Sequence, residues 1–401
     1  MIKKEVILNQ VLQAINEQGK SIIPSKYPRN ELKKLRKQAF FCPICKEKVI
    51  LRVGSKVIPH FAHHPTSTCE SARTNESIYH KRAKFQLYQW LQKQQIPVQL
   101  EKYIAQIQQQ ADLLSKYHDR QIAFEFQSSH ISSEQFKMRT DGYHRVNITP
   151  IWLIGANRLK KVAPYTYRIS HSFLPLINDH PHQNQSNLRF YCPNKKRLTI
   201  LADLHFIRPN LAVALPHHFS LQHVSLNKLF MKSFIPQEKL LRIWLDKKRS
   251  FRLSPHSVYG REFTFRKWLY EKRLHVERLP SVIHLPVRLQ FKLTVPIWHW
   301  QSKLVINVLH PLSIGSKIHI SKCLKEIIPY VKEYDEKEAK AIVNQYFTYL
   351  TAGKWFRRVN QNEWQKIRQI RFYRYIEEAI EGDQQFINFL IKTSSTKRVL
   401  Y

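Results

Sequence analysis

The spacing of apolar residues between positions 75 and 154 predicts helices and strands in alternation. One apolar stripe recurs at three-and-four spacing, as expected for a helix that packs on one side. Its members are Ile78, Phe85, Tyr88 and Leu91. Asn75 is placed to cap this helix, which puts Glu76 in its first turn. Ser132 and Gln135 have the spacing of a capping box and predict the start of a second helix.

Between these two helices the period of apolar residues falls to two, which predicts a β-hairpin. Gln121–Gln127 alternates large apolar residues with small or polar ones, so Glu125 and Gln127 point to the same side of a sheet. The preceding strand, Ile107–Leu114, holds Asp112 beside apolar residues. Pairing of the two strands would bring Asp112 close to Glu125.

The same pattern analysis extends to the turn of the hairpin and to the rest of the chain. Ser115–Arg120 is polar and predicts the turn, and the apolar run Ile148–Ile154 predicts a buried strand after the second helix. The order helix, hairpin, helix, strand indicates an α/β fold. Polar residues 178–187 predict an exposed loop or linker. Asp335–Leu350 and Gln361–Ile380 carry apolar residues at three-and-four spacing among charges and predict helices.

Shifts in composition suggest three regions with boundaries near residues 70 and 175. Residues 1–70 hold a cysteine cluster, with a hairpin predicted from strands at 48–53 and 56–58. Residues 71–175 hold the alternating helices and strands. Residues 176–401 are basic and become mainly helical toward the end, which predicts a C-terminal domain that binds nucleic acid.

The charge of the chain narrows the class of partner. Its 401 residues include 66 lysines and arginines against 29 aspartates and glutamates, a formal net charge of +37. Hydrophobic residues make up 43%, which excludes a disordered polycation. A folded chain of this charge predicts a polyanionic partner, with nucleic acid first and an anionic membrane surface second. No run approaches the ~18–20 apolar residues of a spanning helix, and residues 1–20 lack the apolar core of a signal peptide. We therefore expect a cytoplasmic protein.

The cysteines and histidines of the first region predict a structural zinc site. Cysteines are odd in number and clustered here, which fits a metal site in a reducing compartment better than a disulfide framework. Tetrahedral zinc takes four ligands, often as two close pairs. Cys42 and Cys45 form the first pair, and the second must come from His60, His63 and Cys69. We favour His63 with Cys69 and keep His60 as the alternative ligand. Buried free thiols are the competing interpretation.

Asp112 and Glu125 draw attention because acidic residues are few in this chain. Mg²⁺ takes one or two carboxylates together with phosphate oxygens and water, so the pair predicts a divalent-metal site. Glu76 is either a further acid of that site or a first-turn acid favoured by the helix dipole. The competing interpretation for the pair is a strand with solvated acids on its exposed face.

Several motifs follow one another in a fixed order between about Phe41 and Trp152. They are CPIC, IPHFAHH followed by a cysteine, NESIYHKRAK, ADLL, AFEFQSSHIS, and an F-x-x-R-x-x-x-Y motif at Phe136, Arg139 and Tyr143. Together they resemble the competence protein CoiA family. A fixed order of several motifs is much more specific than any one of them. The C-terminal half shows no motif that can be aligned in this way.

The resemblance implies a restriction-endonuclease-like core of the PD-(D/E)xK superfamily within residues 71–175. Asp112 would be the first acid and Glu125 the second, and Glu76 would match the acid on the first helix. Gln127 would take the usual lysine position, a departure because glutamine can orient a water but carries no charge. The implied reaction is Mg²⁺- or Mn²⁺-assisted phosphodiester hydrolysis, with Asp112 and Glu125 holding the metal and Gln127 positioning the water.

Two functions from different classes follow from these expectations. The first is a metal-dependent nuclease that processes incoming DNA during natural transformation and recombination. The second is a non-catalytic DNA-binding recombination factor that uses the nuclease fold as a scaffold. Acids aimed at phosphate repel it, which favours the nuclease. The preferred DNA form, whether single-stranded, duplex or branched, stays open, and recombination proteins as partners follow from the resemblance alone.

Tryptophans spread among basic residues raise the further possibility of stacking on single-stranded bases. Ordinary core packing is the competing interpretation for each of them. They are Trp152, Trp268, Trp298, Trp300, Trp355 and Trp364. Motifs typical of RNA-binding modules are absent from the sequence.

Overall fold

The structure, a computed structural model, consists of two compact units. It describes residues 10–54, 58–67, 69, 77–177, 186–255 and 259–396. The first unit takes its residues from the chain up to Leu159 and from the segments 172–201 and 216–232. The second unit takes residues 160–171, 202–215 and those from Ser233 onward. Most of the predicted linker, residues 178–185, lies outside the described residues.

A small antiparallel sheet of six short strands opens the first unit, in the order β1-β6-β5-β4-β2-β3. The strands are β1 (Gln10–Val11), β2 (Ala14–Asn16), β3 (Ser21–Ile22), β4 (Phe40–Phe41), β5 (Lys48–Arg52) and β6 (His60–Ala62). Helix α1 (Arg29–Leu35) lies between β3 and β4 in the chain. Phe40 and Phe61 fill the core of this sheet, with ring centroids 4.8 Å apart. Residues 56 and 57 of the predicted partner strand lie outside the described residues, and β5 pairs with β6, which carries the buried Phe61.

The larger sheet of the first unit follows the predicted order of helix, hairpin, helix and strand. Its elements are α2 (Ile78–Lys93), β7 (Val98–Ile104), β8 (Gln109–Tyr117), β9 (Arg120–Gln127), α3 (Ser133–Arg145) and β10 (Ile148–Gly155). Strands β7, β8 and β9 pair antiparallel, and β9 pairs parallel with β10. The predicted α/β class is therefore confirmed, and β7 is a strand that the sequence analysis missed.

Five further strands follow β10 along the chain. They are β11 (Lys160–Ala163), β12 (Thr166–Arg168), β13 (Leu188–Cys192), β14 (Arg197–Arg208) and β15 (Leu211–Ser220). In the first unit, β13 pairs parallel with β10 and antiparallel with the beginning of β14. In the second unit, β12 pairs antiparallel with β11 and with the beginning of β15.

Helices α2 and α3 cover opposite faces of the hairpin, and β9 is therefore buried on both sides. Phe124 and Phe126 pack into the core that α2 completes through Leu87. Ala123, which directly precedes Phe124, packs instead with Tyr143 of α3. Glu125 follows the same alternation and therefore lies on the α3 side of β9. The strand order and the alternation of side chains therefore decide which helix each acid can contact.

Two details of the predicted hairpin region need correction. The turn is shorter than Ser115–Arg120, since β8 and β9 stay paired as far as Tyr117 and Arg120. The first helix is not capped by Asn75: it begins at Ile78, and the Ser77 side chain accepts a hydrogen bond from the His80 amide at 3.2 Å. A serine directly before the first turn satisfies one of its orphan amides. The capping box of α3 is confirmed at Ser132.

The second unit is mainly helical, as predicted for the C-terminal region. Its helices are α4 (Gln237–Arg252), α5 (Gly260–Glu271), α6 (Ile297–Leu304), α7 (Ile320–Ile327), α8 (Glu336–Ala352) and α9 (Ile376–Thr396). Strands β16 (Lys317–His319), β17 (Phe356–Asn360) and β18 (Glu363–Lys366) form a small antiparallel sheet in the order β16-β18-β17. The predicted helix over Asp335–Leu350 is confirmed as α8, capped by the Asp335 side chain. No helix among the described residues combines the length and apolar character needed to cross a membrane.

The prediction of a helix over Gln361–Ile380 is wrong for most of its length. Trp364 and Lys366 are buried at alternate positions of β18, and α9 begins only at Ile376. The Lys366 ammonium donates to three backbone carbonyls, those of Leu309, His310 and Leu312. Pairing with β16 and β17, which a local pattern does not reveal, decides the conformation here.

The tryptophans pack in the core and do not provide the predicted stacking surface. Trp152, Trp298, Trp300 and Trp364 are each at most 5% exposed. Trp268 and Trp355 are partly buried and pack against the core of the second unit. Core packing is therefore the correct interpretation for these rings.

A cluster of buried charges joins α4 to α9 within the second unit. Asp383 accepts hydrogen bonds from Nε and NH2 of Arg252 at 2.7 and 2.9 Å. The Lys248 ammonium lies 3.2 Å from the same carboxylate, and all three side chains are at most 3% exposed. The ring of His284 stacks on Phe251, with centroids 5.1 Å apart. Burial lowers the pKa of His284 far below its usual value, and the nearby Lys248 charge lowers it further.

Candidate active site and candidate metal centre

Asp112 lies on β8 where it can reach both α2 and β9. Its Oδ2 accepts a hydrogen bond from the Phe126 amide at 2.8 Å. Nε2 of His80, on the first turn of α2, lies 3.4 Å from the same oxygen, and the Lys84 ammonium, one turn later, lies 3.6 Å from Oδ1. Burial alone would raise the pKa of Asp112, but Lys84, His80 and the Phe126 amide more than offset it, so this pKa lies well below its usual range.

Lys84 joins Asp112 to a second buried acid, Glu101 of β7. The ammonium of Lys84 lies 2.7 Å from Glu101 Oε1, and both side chains are at most 7% exposed. The other oxygen of Glu101 accepts a hydrogen bond from the Leu12 amide at 3.1 Å. Lys84 therefore stands between two carboxylates, and β7, which the sequence analysis missed, supplies one of them.

Glu125 of β9 is held from the other side of the sheet by α3. Its Oε1 accepts hydrogen bonds from NH2 of Arg139 at 2.7 Å and from the Tyr143 hydroxyl. Burial raises the pKa of Glu125 above its usual value; Arg139 lowers it, and the charge of Asp112 raises it again. The two acids lie on paired neighbouring strands of the hairpin, β8 and β9.

The balance of charge at this site is opposite in sign to that of the whole chain. Two carboxylates, those of Glu101 and Asp112, share the Lys84 ammonium, whereas Glu125 has its own cation in Arg139. Among the described residues, the permanent cations within 4 Å of these carboxylates are Lys84 and Arg139. The group of Lys84, Glu101 and Asp112 is thus one negative charge in excess when His80 is neutral, inside a chain of net charge +37. A cation at this place would balance it.

The other two predicted catalytic residues stand apart from these contacts. Gln127, at the end of β9, donates from Nε2 to the carbonyl and the hydroxyl of Ser129, at 3.2 and 2.9 Å. Glu76 lies outside the described residues, before the start of α2. The first turn of α2, which begins at Ile78, holds no acid. The catalytic assignments of Gln127 and Glu76 stay predictions.

Lys84 and Glu101 are the residues of this network that the sequence analysis missed. Lys84 had a detectable signal, because it lies four residues after His80 and three before Leu87 on the buried side of α2. A lysine at such a position needs a partner. Glu101 had no such signal, since its neighbours in space come from other elements.

The predicted zinc ligands come together in the small N-terminal sheet. The sulfur atoms of Cys42, Cys45 and Cys69 and one ring nitrogen of His63 lie within 4.8 Å of one another. Cys42 follows β4, Cys45 lies in the next turn, and His63 follows β6. The Cys45 sulfur and His63 Nε2 are 3.4 Å apart, close to the spacing of roughly 3.5 Å between ligands that share one zinc ion.

His60 does not join this group of ligands. Its Nδ1 lies 2.8 Å from the carbonyl oxygen of Ile58, two residues before the start of β6. The favoured set with His63 and Cys69 is therefore the one that the structure assembles. Three sulfurs and one imidazole nitrogen form a donor set typical of structural zinc. Burial raises the pKa of the Cys45 thiol to about 12, so a bound metal ion has to displace its proton.

Comparison with known protein families assigns both groups of candidate residues to named domains. Family models match in series along the chain: the N-terminal domain of competence protein CoiA at residues 24–72, its nuclease-like domain at 76–234, and its C-terminal domain at 241–380. The chain belongs to the competence protein CoiA family. The nuclease-like CoiA domain contains Asp112 and Glu125, and the N-terminal CoiA domain contains all four candidate zinc ligands.

A curated relative agrees with this membership. The chain is 28% identical over 340 residues to the competence protein CoiA of Bacillus subtilis (strain 168). The match covers 82% of this chain and 90% of that protein. No solved structure matches the chain. Membership of the CoiA family supports a role associated with competence.

Proposed function

We propose that this chain is a Mg²⁺-dependent nuclease that processes DNA taken up during natural transformation. The observation that carries the proposal is the buried group around Lys84, in which two carboxylates, those of Glu101 and Asp112, share one lysine. Such an excess of buried negative charge in a strongly basic chain suits a divalent cation that arrives with phosphate. Mn²⁺ would serve in place of Mg²⁺, since both prefer oxygen ligands.

Asp112 and Glu125 are the residues that would hold the metal. Bound there, Mg²⁺ would lower the pKa of a water and stabilise negative charge on the phosphate oxygens. Asp112 is kept ionised by Lys84 and His80, so it is ready to act as a ligand at neutral pH. Arg139 and Tyr143 fix the carboxylate of Glu125 from behind through one of its oxygens.

Lys84 would supply the positive charge that Gln127 lacks. In the motif of the superfamily a lysine follows the second acid, and here Gln127 takes that place without a charge. We assign the missing positive charge to Lys84, which reaches Asp112 from α2. Gln127 donates to Ser129, which fixes the direction of its amide so that Oε1 can orient a water.

A second candidate function is favoured by the same contacts. Lys84 and Arg139 already neutralise two of the carboxylates, as in a fold that keeps its buried acids for structure alone. In that case the chain would be a DNA-binding recombination factor without cleavage. Recombination proteins as partners belong to this proposal as well as to the nuclease.

Cleavage assays on matched variants separate the two candidates. The full chain is incubated with Mg²⁺ or Mn²⁺ and with end-labelled single-stranded, duplex and branched DNA. We expect cleavage that Asp112→Asn, Glu125→Gln and Lys84→Met each reduce by at least two orders of magnitude. Asp119→Asn, which removes the same charge from the exposed turn of the same hairpin, is the control and should cleave normally.

The outcomes of this assay are distinct. Cleavage that persists in Asp112→Asn would contradict the proposed site. Tight DNA binding without cleavage by any version would favour the scaffold. Because Lys84→Met removes a buried cation, its fold is checked by thermal unfolding, and Asp112→Asn carries the conclusion if that variant does not fold.

We also propose that Cys42, Cys45, His63 and Cys69 hold one structural zinc ion. The purified chain should contain about one zinc per molecule by elemental analysis, and Cys42→Ser should lose it together with stability. His60→Gln is the matched control, because His60 bonds to the Ile58 carbonyl and lies outside the cluster. Zinc that is lost equally from His60→Gln and Cys42→Ser would contradict this ligand set.

A further inference from the structure

Helix α5 carries apolar residues on a buried face and on a second, exposed face. Phe265 and Leu269 point into the core of the second unit and are at most 2% exposed. Phe263 and Tyr270, two turns apart, are 46% and 71% exposed, and Tyr259 at the N-cap is 79% exposed. At 100° per residue, these three rings fall about 100–140° around the helix from the buried pair.

Basic side chains accompany the exposed rings. Lys267 lies on the same face between Phe263 and Tyr270, and the exposed Lys272 and Arg273 follow at the end of the helix. Between residues 259 and 275 the sequence has five arginines and lysines against two glutamates. One of those glutamates, Glu262, is paired with Arg266 on the same helix. We call Tyr259, Phe263, Lys267 and Tyr270 the aromatic face of α5.

We propose that the aromatic face of α5 binds single-stranded DNA by stacking its rings on bases. Every base has a π-face, so exposed rings beside a positive charge bind single strands without needing a sequence. From Tyr259 to Tyr270 the face extends about 16 Å along the helix axis, enough for a few unstacked nucleotides. In a duplex the bases are already stacked on one another, so the rings would add little.

This site is separate from the proposed nuclease site, although both act on DNA. The core packing of the tryptophans makes the exposed tyrosines and phenylalanine of α5 the better candidates for stacking. Charge complementarity selects a polyanion as the occupant, because Lys267, Lys272 and Arg273 would reach phosphates beside the stacked bases.

Binding assays without divalent metal test this proposal independently of cleavage. A fluorescently labelled oligothymidylate of about 20 nucleotides is titrated with the full chain in the presence of a chelator, and anisotropy reports the Kd. The double variant Phe263→Ala/Tyr270→Ala should bind at least tenfold more weakly, since base–aromatic stacking is worth about that much or more per ring. Affinity for a duplex of equal length should change by less than about twofold.

Matched variants identify the source of any loss. Tyr334→Ala removes a similarly exposed tyrosine that lies between the acids Glu333 and Asp335, and it should bind as the wild type does. Lys267→Ala/Lys272→Ala should lower the slope of log affinity against log salt concentration by about 1.4, that is, about 0.7 for each phosphate contact with a single strand. The aromatic double variant should keep the wild-type slope.

Three outcomes would overturn the proposal. The first is oligothymidylate binding by the aromatic variant that equals that of the wild type. The second is an equal loss for single strand and duplex, which would indicate general damage. The third is loss of binding to anionic phosphatidylglycerol vesicles while the oligonucleotide still binds, which would make the face a membrane contact. Thermal unfolding of the variant should match the wild type, because both rings are exposed.

Discussion

The two units of this chain each bury a cluster of charged side chains, and the clusters differ in sign. In the second unit, two cations meet one carboxylate, and Arg252 bonds to both oxygens of Asp383. In the first unit, Glu101 and Asp112 share the Lys84 ammonium, and Glu125, on the other side of the sheet, uses one oxygen for both of its partners. The cluster of the second unit is saturated by its own side chains and joins two helices. The cluster of the first unit keeps a surplus of negative charge beside a sheet.

This difference separates a structural cluster from a candidate site. A bidentate arginine and a fully buried carboxylate make strong contacts that need nothing from outside. A carboxylate whose pKa is raised by burial, such as Glu125, is held at a cost in stability. Proteins commonly accept such a cost at sites that bind or react, and the comparison therefore supports function in the first unit and structure in the second.

The largest expected effect comes from Asp383. Asp383→Asn would leave Lys248 and Arg252 buried without a counter-charge, and breaking a buried pair in this way costs about 3–5 kcal/mol. Urea denaturation followed by circular dichroism should show this loss in the free energy of unfolding. Asp246→Asn, on the exposed side of α4, is the control and should change it by less than about 0.5 kcal/mol. Equal effects of the two variants would contradict a structural role for the cluster.

The next effect is a dependence on pH that arises at His284. Its pKa is lowered in the folded state by burial and by Lys248, Arg252 and Arg208, while Asp383 opposes them. As the pH falls below the usual histidine pKa of about 6.5, residue 284 therefore takes up a proton in the unfolded chain before it does so in the folded chain. Stability is full above that pH and falls as the pH drops below it, by up to about 1.4 kcal/mol per pH unit.

Variants isolate this contribution of His284 from those of other histidines. His284→Asn should reduce the loss of unfolding free energy between pH 6.5 and 5, whatever its effect at pH 8. Asparagine is chosen because residue 284 has φ of 65°, a conformation that asparagine tolerates. His275→Asn, at an exposed histidine, is the control and should keep the wild-type slope. An unchanged slope in His284→Asn would refute the assignment.

The smallest effect on stability is expected at Glu125. Because burial raises the pKa of this carboxyl above its usual value, the charged form is disfavoured in the folded state at neutral pH. Glu125→Gln removes the charge and keeps an oxygen that can accept from Tyr143. The free energy of unfolding at pH 7.5 should therefore stay equal or rise slightly, while cleavage is lost. A loss as large as that of Asp383→Asn would show that the two clusters serve the same structural purpose.

Much of the first unit could be predicted from local sequence. The capping box at Ser132 fixes the start of α3, and the two-residue period of β9 fixes which of its side chains face together. The candidate zinc ligands were predictable to one alternative, since both His60 and His63 had suitable spacing. The strand β6 decided between them by turning His60 toward the Ile58 carbonyl.

Other features could not be read from local spacing. Residues 363–366 lie in a strand although their spacing suits a helix, because Trp364 fills a core shared by distant segments. The tryptophans and the exposed rings of α5 have similar surroundings in the sequence, yet the tryptophans are buried or partly buried while Phe263 and Tyr270 are exposed. Burial depends on which segments meet, and a single helical stretch does not contain that information.

The sequence by itself determined the α/β order of the nuclease-like core, the two acids of the hairpin and, apart from the choice between His60 and His63, the candidate zinc ligands. Their residue types and spacing are local properties, and local propensity and periodicity encode them. Only the tertiary structure decided that Lys84 lies between Asp112 and Glu101, and that Arg139 and Tyr143 share one oxygen of Glu125. Charges act through space, so the balance of this site was fixed only when three strands and two helices came together.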